Sequence, residues 1–500
     1  MSDATANRGR AVTRAIPVLL LALALPLAGC GNGNDGRALR VDSSVDPTPL
    51  VAQSTRLGLT ALDGEGQVVP GLAQSWRVSD DGLSIVFRLR RASFANGMPV
   101  TAAQAVAAVQ AARTRRAHPF FGLLAGVTAI SAPLDDVIEM RLTTPQPELL
   151  ALLAAPELAV LPPARNPPAL GPFMPAGDEA GVITLGRNPR FHATADVPLD
   201  RVTLRRLDAT AAIAGFARGE SDLVLGGLGP GINDARTSPA AAGLRLEPAR
   251  ATAMLLVNMT GGPLKDLRVR RALSLAIDRQ TLGSALFGSA AARPVYGLAP
   301  EGLASFPETF VPDWAGAPLV ARQEDARRLL SEAGFGAERP LALTVAIPDD
   351  ALSRAMAARI GNDLAAIGVT LSADIRDPAF HASTLARGGY ALALTVREAP
   401  TDSPLALLLP LRCGANPAGV CLKEADRLLA QSWRAASLSA RAGHYAQAER
   451  LWAEDGAVIG LVTPLRWALV SPRVAGWVDN AAGAHPLAKL DLLPEGRLFK

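Results

Sequence analysis

The stretch Asp266-Leu267-Arg268-Val269-Arg270-Arg271-Ala272-Leu273, continued by Ala276-Ile277-Asp278-Arg279, is the most strongly patterned part of the chain. Val269, Ala272, Leu273, Ala276 and Ile277 recur at the helical period, while Arg268, Arg270, Arg271, Asp278 and Arg279 fall on the other side. This predicts one amphipathic helix with its apolar stripe on a core and its charges in water. Downstream, helices are expected from about Arg322 to Ala333 and from about Leu352 to Ile367. Gly334 and Gly368 stop them, each suited to a left-handed cap. Strand-like runs at Leu341 to Ile347 and Val369 to Ile375 lie between, and Leu244 to Asn258 reads as strand upstream. Helices alternating with strands place the chain in the α/β class.

Nearer the amino end, Leu83, Ile85, Phe87 and Leu89 alternate with Ser84, Val86, Arg88 and Arg90, a strand with one apolar face. Asn96-Gly97 breaks the chain, and Thr101 with Gln104 three residues on forms a capping box for a helix from Ala102 to Arg113. Leu39 to Val41 reads as a first strand, and the proline-rich run Val160 to Phe173 as a crossing between lobes.

The 500 residues, 49% apolar and 19% charged, suffice for two or three lobes with their own cores. Basic residues number 50 against 46 acidic, and all but Lys265, Lys423, Lys489 and Lys500 are arginines. They form no patch interleaved with aromatics, so no nucleic-acid partner is expected. The first thirty residues carry Arg8, Arg10 and Arg14, then an apolar run from Ala15 to Ala28, and close on Leu27-Ala28-Gly29-Cys30. The run is short of the ~20 residues a bilayer span needs. It resembles a bacterial lipoprotein signal with its lipobox, which implies acylation of Cys30 and membrane attachment through the amino-terminal lipid. Gly31-Asn32-Gly33-Asn34-Asp35-Gly36 matches G-x-G-x-x-G, but no strand precedes it, so it reads as a tether rather than a dinucleotide site. With Cys30 set aside, Cys413 and Cys421 form an even pair that export to an oxidising compartment would join as a disulfide.

Several blocks then fall in a familiar order. They are Val69-Pro70-Gly71-Leu72-Ala73-Gln74-Ser75-Trp76, Ser79-Asp80-Asp81-Gly82-Leu83, Phe94-Ala95-Asn96-Gly97-Met98-Pro99-Val100-Thr101 and Gly171-Pro172-Phe173. Asn258, the Asp266 to Arg279 stretch, and Ala326 with Leu329, Leu330 and Ala333-Gly334-Phe335 complete the set. The chain resembles the extracytoplasmic solute-binding proteins of the peptide and nickel class, family 5. That resemblance implies a mixed α/β, periplasmic-binding-protein-like type II fold of cluster C, with three lobes and a ligand cleft between them. The implied layout is a signal peptide at 1–29 and a tether at 30–38. Residues 39–59, 158–258 and 472–500 would form a first lobe, 60–157 a second, and 259–471 a third. It also implies hinge closure on a small-molecule or peptide ligand, delivery to an ABC permease and ATPase complex, and a monomer on the periplasmic or cell-surface side of a bacterial membrane.

In peptide-binding members an aspartate after the strand that here follows Gly389-Tyr390 holds the peptide's amino group. Counting from Tyr390 puts Arg397 at an aromatic position of the family and Pro400 at the aspartate. A proline cannot hold an ammonium. The candidate ligand-binding residues are therefore Arg397, whose planar, always-charged fork suits an anionic group, together with Glu398, Thr401, Asp402 and Asn258. His118, His192, His381, His444 and His485 are scattered without metal-binding spacing, so neither a metal nor another cofactor is expected. Gly-x-Ser-x-Gly, His-Glu-x-x-His and P-loop motifs are missing, which argues against catalysis. The rivals to transport are an extracytoplasmic sensor or chaperone of the same fold and, behind them, a hydrolase.

Overall fold

The computed structural model describes residues 36–162, 166–228, 231–288, 292–306 and 309–494. Cys30 and its leader lie outside the described residues. Three sheets organise the rest. The first has seven strands in the order Leu244–Pro248, Leu465–Val470, Leu223–Gly227, Ala38–Ser43, Arg201–Arg206, Val182–Arg187 and Phe173–Glu179. Ala38–Ser43 runs parallel to both neighbours. Strands parallel on either side of a common partner need a crossover, and the helix Ala209–Ala217 supplies it. Leu39, Val41, Phe173, Leu185 and Leu204 fill the core of this sheet.

The second sheet is antiparallel, in the order Ala73–Val78, Ser84–Leu89, Val137–Leu142 and Val127–Leu134. Ile85, Phe87 and Leu89 bury the face that the alternation predicts. The helix Ala102–Thr114 shares their core through Ala105 and Val109. Its capping box forms as expected, with Thr101 N donating to Gln104 Oε1 at 3.0 Å and Gln104 N to Thr101 Oγ1 at 3.4 Å.

The third sheet has five strands in the order Val369–Arg376, Leu341–Pro348, Leu392–Glu398, Ala251–Val257 and Val458–Val462. All seven residues of Ala251–Val257 are buried, so the sheet is covered on both faces. Ala253, Leu255 and Val257 join a core with the helices Leu267–Ala276, Arg279–Phe287 and Ala351–Ala365. Met254 and Leu256 join another with Lys423–Ser432 and Leu438–Asp455.

Three expectations need correction. The stretch from Asp266 to Arg279 is two helices, because Ile277 turns extended and the Asp278 carboxylate accepts the Thr281 N–H to cap the second. Arg270 and Arg279 are not on a solvated face; they are 4% and 2% exposed. Arg279 donates to the carbonyls of Ser274, Val295 and Gly460 and lies against the rings of Tyr296 and Trp314, while Arg270 pairs with Asp455 at 3.0 Å. Buried cations persist only when their donors are answered in this way. Lastly, the run Leu244 to Asn258 is two strands in different sheets, split at Pro248-Ala249-Arg250. The outward crossing thus lies near residue 250 rather than 258. The return lies before Leu465 rather than near 471, because Leu465–Val470 pairs inside the first sheet.

Cys413 and Cys421 are joined. Their loop is tied to the end of Ala251–Val257 by Met259 N donating to Ala418 O at 2.8 Å. Reduction should lower stability by about 2 to 3 kcal/mol on the loop-entropy estimate. Urea unfolding with and without dithiothreitol measures this, and coincident midpoints would show the crosslink to be thermodynamically idle.

Candidate functional site

Three cavities, of about 690, 570 and 450 Å³, meet at Pro400, which lines all of them. The position follows from the third sheet. Leu392–Glu398 runs beside Leu341–Pro348 only at Leu392 and Ala393, then continues outward beside Ala251–Val257 alone. Ala399 N donates to Arg250 O and Asn258 N to Ala391 O, so odd-numbered residues turn their backbone groups toward Ala251–Val257. The backbone groups of Val396 and Glu398 therefore face the opposite side. No described strand pairs with them there.

The largest cavity lies between the first sheet, represented by Leu225 and Trp467, and the end of this strand. Glu398 crosses to the first sheet and pairs with Arg466. Arg466 also stands 3.8 Å from Glu247, which is 3% exposed, and His485 Nε2 lies 3.1 Å from the Glu247 carboxylate. The ring of Trp477 stacks on His485 at 3.8 Å. The second cavity is bounded by Arg56, Ala155 and Phe191 and includes His192, which burial and the Arg90 charge push down to about 4. The third holds Asp402, paired with Arg250 at 2.9 Å, and the buried pair Arg441–Glu148 at 2.8 Å. Glu148 belongs to a helix in the core of the second sheet and Arg441 to one in the core of the third. That pair therefore bridges two separately cored bodies.

Of the sequence candidates, Glu398 and Asp402 line cavities and both carry cationic partners. Thr401 is 5% exposed and lines none of the three. Asn258 is occupied elsewhere. Its Nδ2 donates to Gly388 O at 2.8 Å and its Oδ1 accepts Thr260 N and Oγ1 at 2.9 and 2.6 Å, which makes it a turn residue rather than a ligand contact. Arg397 lies on the strand face opposite Glu398, half-buried, and lines none of the three cavities; burial lowers its pKa. Glu247, Arg466, His485, Arg250, Arg441 and Glu148 are not legible from the sequence, since they come from five separate segments with no motif around them. Among the described residues no group of three or more His, Cys, Asp or Glu is placed to hold a metal ion, and no helix is long and apolar enough to cross a membrane.

Comparison with known proteins agrees with this fold. The periplasmic oligopeptide-binding protein OppA of Salmonella typhimurium is 24% identical over 483 residues, 88% of this chain and 87% of that one. A protein of Escherichia coli named "Probable deoxycholate-binding periplasmic protein YgiS" is 30% identical over 323 residues, 57% of this chain and 58% of that one. The solved structure of Burkholderia pseudomallei OppA superposes with a TM-score of 0.83 at 24% identity, covering 92% of this chain and 100% of that one. Haemophilus influenzae OppA in complex with the peptide RPPGFSPFR gives 0.83 at 20% identity, with 92% and 100% covered. The sequence pattern of the bacterial extracellular solute-binding proteins, family 5 Middle, matches residues 67–418. The chain belongs to the bacterial extracellular solute-binding proteins of family 5.

Proposed function

We propose that the chain is the substrate-binding component of an ABC importer, capturing a small peptide or a peptide-like anionic solute outside the cytoplasm. It works as a monomer tethered to the membrane through lipid on Cys30. Capture leaves the solute chemically unchanged. The observation that carries this is the meeting of three cavities at Pro400, beside a strand whose Val396 and Glu398 backbone groups stand open. An extended solute adds to such an edge by main-chain hydrogen bonds, with side-chain pockets supplying selectivity. Closure of the separately cored bodies around the crevice then buries it, driven by the solute's better fit to the closed form. Glu398 and Asp402 offer carboxylates to a ligand's cationic end, exchanging partners with Arg466 and Arg250 as it enters.

Native mass spectrometry of the purified protein should reveal a co-purified small molecule, and calorimetry with di- to pentapeptides should detect binding. Val396→Pro deletes an N–H on the open side while leaving the pairing to Ala251–Val257 intact. It should weaken binding on the order of 10-fold, the worth of about one hydrogen bond. Unchanged affinity in that variant would remove the edge-addition geometry, and turnover of the bound molecule would remove the transport role.

A further inference from the structure

One group of polar side chains near the crevice has no answer within the protein. Thr252 and Arg397 are cross-strand partners in the third sheet. Both turn toward the face that carries Met254 and Leu256 on one strand and Ala393 and Ala399 on the other. Thr252 is 0% exposed and its Oγ1 has no hydrogen-bond partner. Arg397 is half-buried and, among the described residues, has neither an ion pair nor a hydrogen bond. The available carboxylates are taken: Asp402 is held by Arg250 and Glu398 by Arg466.

A half-buried cation without a counter-ion and a dry hydroxyl side by side cost stability unless something meets them. The cavity that could bring it is adjacent. Arg250 precedes Thr252 by two on the same strand face and lines the third cavity with Asp402. Arg397 and Thr252 are thus one side-chain layer beneath that cavity's wall. We propose that Thr252 and Arg397 form a subsite for a carboxylate on the solute, which makes the crevice selective for acidic over neutral ligands; this rests on the crevice being the solute site. In the subsite the guanidinium donates two parallel N–H bonds to the carboxylate, and the Thr252 hydroxyl donates to a remaining lone pair.

The test is calorimetry on the purified full chain, unfolded and refolded to strip any co-purified solute, with Ala-Glu-Ala, Ala-Gln-Ala and deoxycholate. Ala-Glu-Ala should bind at least about 10-fold more tightly than its near-isosteric amide counterpart, the yield of a charge-assisted bond. Arg397→Met should bring that ratio close to one, Arg397→Lys should retain part of it, and Thr252→Val should reduce it a few-fold. A purely structural arginine would lower the melting temperature and leave the ratio untouched. Deoxycholate offers the same carboxylate on a steroid body. If it binds in an Arg397-dependent manner while the tripeptides do not, the subsite stands and the solute is an amphiphilic acid. Equal binding of the two tripeptides, or a preference that survives Arg397→Met, overturns the subsite and leaves solute binding intact. If none of the three probes binds, the solute-binding proposal falls and this one with it.

Discussion

Between pH 4.5 and about 7 the burial of Glu449 is expected to remove on the order of 3 kcal/mol of stability, and Glu449→Gln should abolish that share. Glu449 is 0% exposed in the helix Leu438–Asp455. Its Oε1 accepts the backbone N–H groups of Leu298 and Ala299 at 2.7 and 2.8 Å, while its Oε2 has no partner. Burial pushes its carboxyl from 4.5 up to about 7, against the downward pull of those donors. Below 4.5 folded and unfolded chains are both protonated and the folded form pays no penalty. Above that value the unfolded carboxyl ionises while the folded one holds its proton, so stability falls until the folded pKa is reached. His192 and His381 act with the opposite sign, their folded pKa values being lowered by burial; His192 keeps part of its ring in water, which shrinks its share, and His381, 5% exposed, offsets part of the fall. Gly297 shows how closely the site is built, since a Cβ there would lie 2.4 Å from Glu449 Oε1. Urea titrations at pH 5 and pH 7.5 on both forms decide the matter: a slope that persists in Glu449→Gln assigns the effect to other groups.

The second large effect is expected at the bridge between the second and third sheets. The side chains of Arg441 and Glu148 are 3% and 12% exposed, and Arg441 donates in addition to Pro145 O at 2.8 Å. Removing one partner strands the other charge, which costs about 3 kcal/mol or more. Under the closure proposed above, Glu148→Ala should therefore shift the closed-to-open ratio by about 100-fold toward open. Ligand affinity should weaken with it, because the binding-competent form becomes the rarer one. Small-angle scattering should show a larger radius of gyration for the free variant. Replacing both residues, Glu148→Leu with Arg441→Met, should restore much of the closed population, since no charge is then left unpaired. A radius and affinity that match the parent protein would make the bridge irrelevant to closure.

Where local chemistry decides structure, the sequence was readable. Thr101 and Gln104 cap a helix through atoms three residues apart, and the alternation of Ile85, Phe87 and Leu89 needs only the two-residue repeat of a strand. Gly334 and Gly368 mark helix ends because their backbones take positive φ, +83° and +79°. The reading erred where a tertiary partner overrode the local signal. Apolar periodicity continues through Ile277, so nothing local reveals that Asp278 begins a new helix. Arg270 and Arg279 look solvated because burial is repaid by carbonyls far along the chain, Asp455 O and Gly460 O among them. The cleft was the least legible part. Family resemblance pointed to the segment from Arg397 to Asp402, but Glu247, Arg466 and His485 come from three separate segments and only folding makes them one network.

The placement of Leu465–Val470 bears on how such a chain matures. It sits inside the first sheet, between Leu244–Pro248 and Leu223–Gly227, and not at its rim. Whether emerging from a ribosome or from a translocation pore, the polypeptide carries a vacant slot in that sheet until residue 470 arrives. Pairings so distant in sequence form slowly, and the waiting edges invite association. The same delay leaves the sheet that carries Arg466 and Trp467 among the last parts of the fold to close.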